Sequence, residues 1–301
     1  MNFIRSMHEE CMVSWTNMSS SLRSNLRRLS KSLSFLSVKG SSIKPCSFEH
    51  VMTRASTAKV VLFGEHHEQP SILKAQLCVL EGMASQAEEY FKQNQQKQKI
   101  FLVLEMFNFQ QQFLLDAYRN YEISIRELEK NYEQDTEGFA IMEHYGYLLD
   151  TARSLGITVI AGFVPKSSCK EMVSDGKETT LKNIQNIGGP DKSFYVNGSE
   201  EHYRYFQGLI SGKMDEVNDK YRKIFPAQIL RDSFFAHSVN KIIQTSENNK
   251  VVGICGSGHI DHGFGIPERI SRKIGPVLLL TSRMKEDKID PNVADFIYQY
   301  E

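Results

Sequence analysis

Four short apolar runs, each ending on glycine or on ligand-type side chains, restrict this chain to a sheet-based fold more than any other feature. Val60-Val61-Leu62-Phe63 runs into Gly64-Glu65-His66-His67, and Phe101-Leu102-Val103-Leu104 runs into Glu105. Val251-Val252-Gly253-Ile254 runs into Cys255-Gly256-Ser257-Gly258-His259-Ile260-Asp261-His262, and Thr158-Val159-Ile160-Ala161 ends on Gly162-Phe163-Val164-Pro165. Runs of this length, β-branched and separated by helical patterns, read as buried strands of a parallel sheet. Parallel strands deliver their carboxyl ends to one edge, which is where open α/β folds bind ligands. The expectation is an α/β fold, a parallel-sheet core flanked by helices, that gathers Glu65, His66, His67, Glu105, His259 and His262 at one edge.

The segments between the runs carry helical periodicity. Pro70 suits a first helical turn, and Leu73, Leu77, Leu80, Ala84, Ala87 and Phe91 repeat on one face. Two helical segments follow Glu105, Phe109 to Asn120 and Ile123 to Tyr132. A third carries Ile141, Tyr145, Leu148, Ala152 and Leu155 in register and stops at Gly156 as a C-cap. This is a right-handed βαβ progression. Between Pro165 and Pro226 the sheet pattern lapses into a glycine-punctuated, tyrosine-rich stretch. Because it leaves from a strand end, it reads as a mostly helical cap at about 166–226 over the ligand edge, with a satellite subdomain as the alternative. From Ala227 to about Thr245, Gln228, Arg231 and Asp232 continue the apolar stripe of Phe235, Val239 and Ile242. A helix leading into a parallel strand runs antiparallel to it, so those three polar residues are expected to look into the site. Gly265-Ile266-Pro267 then opens a short helix to Lys273, and Pro276 to Leu280 reads as the last strand.

A chain of 301 residues buries one substantial core. Its 36 basic residues balance 36 acidic ones, which argues against nucleic acid as a general partner. Five cysteines without C-x-x-C spacing point to a reducing compartment and no zinc knuckle. No apolar stretch approaches the roughly 18 residues of a spanning helix, so a soluble mature protein is expected. From Cys11 to Phe48 there is no acidic residue, while serine and arginine abound and Leu22, Leu26, Leu29, Leu33 and Leu36 keep helical spacing. That pattern is the signature of a mitochondrial presequence, with a disordered serine-rich tail of a cytoplasmic protein as the alternative. Residues 1–50 are accordingly read as lying outside the fold and 51–301 as the α/β domain.

The clustered side chains suit two chemistries. His67, Glu105 and His259 are ligand types for a divalent metal with an open position, and Glu65, His67, Glu105 and His259 are equally a general acid and base set. Gly256-Ser257-Gly258 begins like a dinucleotide turn, but Asp261 stands where its third glycine belongs and would repel a pyrophosphate. A nucleophile elbow G-x-S-x-G is absent.

Gly64-Glu65-His66-His67 followed by Pro70, Leu104-Glu105-Met106-Phe107, Ala227-Gln228-x-x-Arg231-Asp232, and Gly256-x-Gly258-His259 with Gly263-x-Gly265-Ile266-Pro267 together resemble the ChaN-like haem-binding proteins of the Tiki and erythromycin-esterase superfamily. The resemblance covers about Val60 to Leu280 and implies an α/β domain with a small helical cap. It implies haem as cofactor, held through a tyrosine in a paired arrangement and serving haem or iron handling. Tyr145 and Tyr147, or Tyr203 and Tyr205 in the cap, are the tyrosine candidates, with Gln228, Arg231, Asp232 and Gly258 as further cofactor contacts. The esterase and Tiki relatives imply a hydrolase instead, using His67, Glu105 and His259. Bacterial ChaN-like members are lipoproteins, whereas this chain starts with the serine- and arginine-rich segment. The expected partner is haem or another small molecule, with a homodimer left open.

Overall fold

The computed structural model describes residues 30–132, 135–214 and 218–301. Among them, β1 (Ser34–Lys39), β2 (Ser42–Cys46), β3 (Val60–Glu65), β4 (Lys99–Asn108), β5 (Thr158–Phe163), β6 (Asn249–Gly256), β7 (Val277–Met284) and β8 (Phe296–Tyr300) form one sheet. Its spatial order is β2-β1-β8-β7-β3-β6-β4-β5. From β8 to β5 every neighbouring pair is parallel, while β1 runs antiparallel to both β8 and β2. The chain leaves β3 for β4 and β5, returns to insert β6 between β3 and β4, and then crosses to β7 on the other side of β3. That reversal makes a switch point at the carboxyl ends of β3, β6 and β4, the place where open parallel sheets bind ligands.

Alternate residues of the central strands face two cores. Val61, Phe63, Leu102, Leu104, Val252 and Ile254 pack under α1 (Phe48–Thr57), α2 (Pro70–Asn94), α3 (Gln112–Arg119), α4 (Ile125–Tyr132) and α5 (Gly146–Ser154). The cap follows as α6 (Lys166–Ser174), α7 (Lys177–Asn186) and α8 (Glu200–Ser211), before α9 (Phe225–Thr245) and the single turn α10 (Ile266–Arg269). Val60, Leu62, Val103 and Val251 pack against Phe235, Val239 and Ile242 of α9. All six residues of β3 are buried, as expected of a strand covered on both faces. Cap residues Val164, Cys169, Met172, Leu181, Ile184 and Phe194 form a separate core on Ala227, Leu230 and Phe234 of α9. The cap therefore grips the start of α9, the helix expected to feed the site.

Several expectations change. Residues before about Phe48 are not all outside the fold, since β1 and β2 extend the sheet and Phe35 is fully buried against Phe48 and Tyr298 at ring separations of 6.0 and 5.3 Å. Leu36 lies in β1 rather than on a helix. The remainder of the presequence reading, with Leu22, Leu26 and Leu29, falls on residues 1–29, outside the described residues. The strand from Pro276 is longer than expected and is not the last, because β8 follows and pairs with both β7 and β1. The third helix of the β4–β5 crossover begins with a π-helical turn at Ile141–Tyr145, and Gly156 ends it at φ +67°, the left-handed conformation that a C-cap glycine supplies. Among the described residues no helix is long and apolar enough to cross a membrane.

Candidate functional site

Strand register brings the site together. Glu65, the last residue of β3, lies opposite Gly256 at the end of β6, and Leu104 of β4 lies opposite Ile254. Glu65 and Glu105 thus flank the end of β6, and both carboxylates are buried at 3 % exposure. Burial of two carboxylates requires donors, and each finds them. Glu65 Oε1 accepts from the Tyr145 hydroxyl at 2.6 Å and from His67 Nδ1 at 2.9 Å, and its Oε2 accepts from Gln76 on α2. Glu105 Oε2 accepts from the backbone N–H of Gly256 at 2.6 Å, and its Oε1 lies 3.2 Å from His67 Nε2.

On the other side of Glu105, His259 Nε2 is 3.8 Å from Oε2. His259 Nδ1 is 2.5 Å from Asp232 Oδ1, with Gln228 Nε2 2.9 Å from the same nitrogen. Asp232 is fully buried and its carboxyl oxygen needs a donor, which assigns the Nδ1–H to Asp232, leaves the Gln228 amide as a neighbour of that nitrogen and not a donor to it, and turns Nε2 toward Glu105. Carboxylates and imidazoles alternate along Glu65, His67, Glu105, His259 and Asp232. Beyond Asp232 the buried His202 of the cap continues the alternation, 3.8 Å from Asp232 Oδ2 and 3.2 Å from Glu268 Oε2. Two glycines make room. A Cβ on Gly256 would sit 3.0 Å from His67 Nε2, and one on Gly265, at φ +70°, would sit 2.4 Å from the His259 carbonyl oxygen.

The electrostatics follow from this alternation. Burial by itself lowers the His67 pKa, but the hydrogen bond to Glu65 and the charges of Glu105, Glu65 and Glu68 outweigh it and push the pKa up to about 9. His67 is therefore an imidazolium at neutral pH, donating from both nitrogens. Burial raises the Glu105 carboxyl, against the pull of His259, His67 and the Gly256 N–H. Burial and the Glu65 carboxylate hold Tyr145 well above the usual phenol range, so it remains a neutral donor. A raised folded-state pKa contributes stability that is complete below the free-imidazole value of 6.5 and is lost as pH rises through about 9. The thermal midpoint of the parent should accordingly exceed that of His67→Gln most near about pH 6 and by less toward about pH 10. A gap that stays constant over that range would remove the ion pair from the account.

Six expected site residues converge: Glu65, His67, Glu105 and His259, with Asp232 and Gln228 behind His259. Others do not. His66 points the opposite way from His67, its Nδ1 paired with the Tyr300 hydroxyl on β8 and its backbone N–H donating to Ser282 Oγ at 3.1 Å. His262 packs on Tyr205 and Phe264 at ring separations of 4.9 and 6.3 Å. Arg231 pairs with Glu137 instead of entering the His67–Glu105–His259 cluster. Gly258 lies under the cap, where a Cβ would meet Leu209 Cδ1 at 3.1 Å. Of the four tyrosines, Tyr145 donates to Glu65, Tyr203 to the Asn218 carbonyl and Tyr205 to Asp261 at 2.9 Å, while Tyr147 packs half-buried on the larger core. Among the described residues no group of three or more His, Cys, Asp and Glu side chains is arranged as ligands of a metal ion. Gln76, Phe139, Phe163, Glu137 and His202 were not anticipated. Gln76 alone left a sequence signal, as a polar residue on the same helical face as Ile72, Leu80 and Met83.

Fold and site together define a class, the α/β proteins whose ligand edge lies at a switch point of a parallel sheet under a helical cap. Within it, the chain belongs to the family of haem-binding uptake proteins of the Tiki superfamily, ChaN, whose sequence pattern matches residues 51–270. The structure is similar to that of ChaN of Campylobacter jejuni with cofacially bound haem, with a TM-score of 0.62 and 18 % identity over 89 % of this chain and 97 % of that one. At that identity the likeness establishes the shared fold. The type III effector HopBA1 (TM-score 0.46, 12 % identity, 83 % of this chain and 91 % of that one) and an erythromycin esterase mutant in its open conformation (0.44, 12 %, 83 % and 77 %) are more remote. No curated protein matches the chain.

Proposed function

We propose that this protein binds haem at the sheet edge for haem or iron handling, and that His67 rather than a tyrosine faces the iron. The observation that carries this reading is exposure: the His67 side chain is 40 % exposed at the sheet edge although both its nitrogens face carboxylates, whereas Tyr145, Tyr203 and Tyr205 are buried with their hydroxyls on internal acceptors. The surroundings suit a flat apolar ring. Phe139 packs 4.9 Å from His67, Phe163 packs 5.1 Å from His259, and the half-exposed Leu209 reaches over Gly258. When bound, haem would supply its iron, and His67 is the residue that would hold it. To hold it, His67 would give up a proton, and Glu105, 3.2 Å away, is the group beside it that would accept one.

A second reading is favoured by the alternating row itself. Asp232 fixes the tautomer of His259, and the imidazolium of His67 beside Glu105 gives an acid and a base within one site, the arrangement of a hydrolase that works with His and Glu. Titration of the full chain with haem, followed in the visible spectrum, tests the first reading. A saturable Soret shift is expected. An unchanged spectrum together with turnover of an ester or peptide panel would replace haem binding by hydrolysis.

A further inference from the structure

At the mouth of the site lies an ion pair that neither reading uses. Residues 135–140 form a strap with no helix or strand of its own, and each end of it is tied down. The Asp135 carbonyl accepts from Asn108 Nδ2 and from the Lys166 N–H, both at 3.2 Å, and its carboxylate accepts from the Ser167 N–H at 2.6 Å and from the Ser167 hydroxyl. Phe139 lies against the His67 ring and, at 5.7 Å, against Tyr145. Between them, Glu137 pairs through Oε1 with Arg231 and through Oε2 with Lys166 Nζ at 3.8 Å. Asp135 and Gly138, on either side of Glu137, adopt φ of +54° and +87°.

Arg231 is oriented for more than this pair. Its guanidinium carbon is 5.9 Å from the Phe163 ring, which in turn packs edge-on against His259, so the cation borders the site. Its Nε is buried without a hydrogen-bond partner among the described residues, although a guanidinium presents Nε and a terminal nitrogen as a fork for both oxygens of a carboxylate. Glu137 engages only one arm of that fork. Both side chains retain solvent access, at 21 % and 26 %, so the pair can be exchanged.

We infer that Arg231 and Lys166 form a carboxylate-binding subsite beside His67 and His259, that Glu137 holds it as an internal stand-in, and that a ligand carboxylate displaces Glu137 and lifts Phe139 off His67. Exchange of one carboxylate for another conserves the charge pairing, so the strap opens at little cost once the ligand makes its other contacts. Haem, with two propionates, is a ligand of this chemistry, and the inference rests on the haem reading only for the ligand's identity.

The test compares haem with haem dimethyl ester on the full-length parent, Glu137→Gln, Arg231→Gln and Arg231→Lys, the last keeping the charge should the glutamine variant fail to fold. The parent should prefer haem over the diester by about tenfold, the equivalent of one charge-assisted bond. Arg231→Gln should erase that preference, Arg231→Lys should reduce it, and Glu137→Gln should tighten haem by roughly tenfold by removing the internal competitor. Equal preference in the parent and both Arg231 variants, or weaker haem binding by Glu137→Gln, would overturn the subsite. Should the parent bind neither porphyrin, the haem reading fails on its own, and hydrogen exchange over residues 135–145 tests the strap. Exchange should quicken in Glu137→Gln, and in the parent with propionate but not with chloride at the same ionic strength. Exchange indifferent to both would overturn the inference.

Discussion

His67→Ala is expected to lower haem affinity by at least ~100-fold, because outer-shell partners of a metal ligand already cost 10- to 100-fold when removed and the ligand itself counts for more. The substitution also leaves Glu65 and Glu105 buried near each other without the cation between them, so His67→Gln belongs beside it as a variant that keeps a donor. Tyr145→Phe is the informative contrast. It removes a 2.6 Å bond to Glu65 but no group that faces outward, so haem binding should survive it. Equilibrium titrations of the three variants decide the matter: loss of haem with Tyr145→Phe and retention with His67→Ala would return the iron to a tyrosine and reverse the role given to His67.

Asp232→Ala should have the largest effect on stability. The carboxylate is fully buried, bonded to His259 at 2.5 Å and close to the buried His202, so deletion takes from His259 the acceptor of its Nδ1 and from His202 one of its two carboxylate neighbours. Breaking a buried pair by removing one partner costs about 3–5 kcal/mol, which in a chain of this size lowers the thermal midpoint by about 5–8 °C. A double-mutant cycle with His259→Ala should return a coupling of about 1–3 kcal/mol, since the two side chains share one bond. Ligand binding should weaken as well, through the freed orientation of His259. An Asp232→Ala protein as stable as its parent, with no coupling to His259, would reduce Asp232 to a bystander.

Why Asp232 and not Arg231 reaches His259 illustrates the reach of sequence periodicity. Consecutive residues on a helix point about 100° apart, so a polar pair on one stripe cannot both face one point. The pattern placed both at the edge of α9, but only the packing of the cap and the strap chose between them. The same holds for His66 and His67. They follow a strand whose successive side chains alternate, and the tertiary position of β8, with Tyr300 to receive His66, sends the first away from the site and leaves the second between two carboxylates.

The run-and-glycine pattern sufficed for the parallel core, for the common edge, and for Glu65, Glu105, His67 and His259 arriving there, because strand direction alone carries those residues to one place. It could not show that β1 and β2 join the sheet, since their few apolar residues gain a buried face only after β8 lies alongside. Nor could it show the strap. Glu137 and Phe139 sit in a stretch without periodicity, and their contacts with Arg231 and His67 span 94 and 72 positions of chain. Contacts between residues so far apart leave no local spacing to read, and they exist only once the sheet has brought the ends of β4, β5 and α9 together.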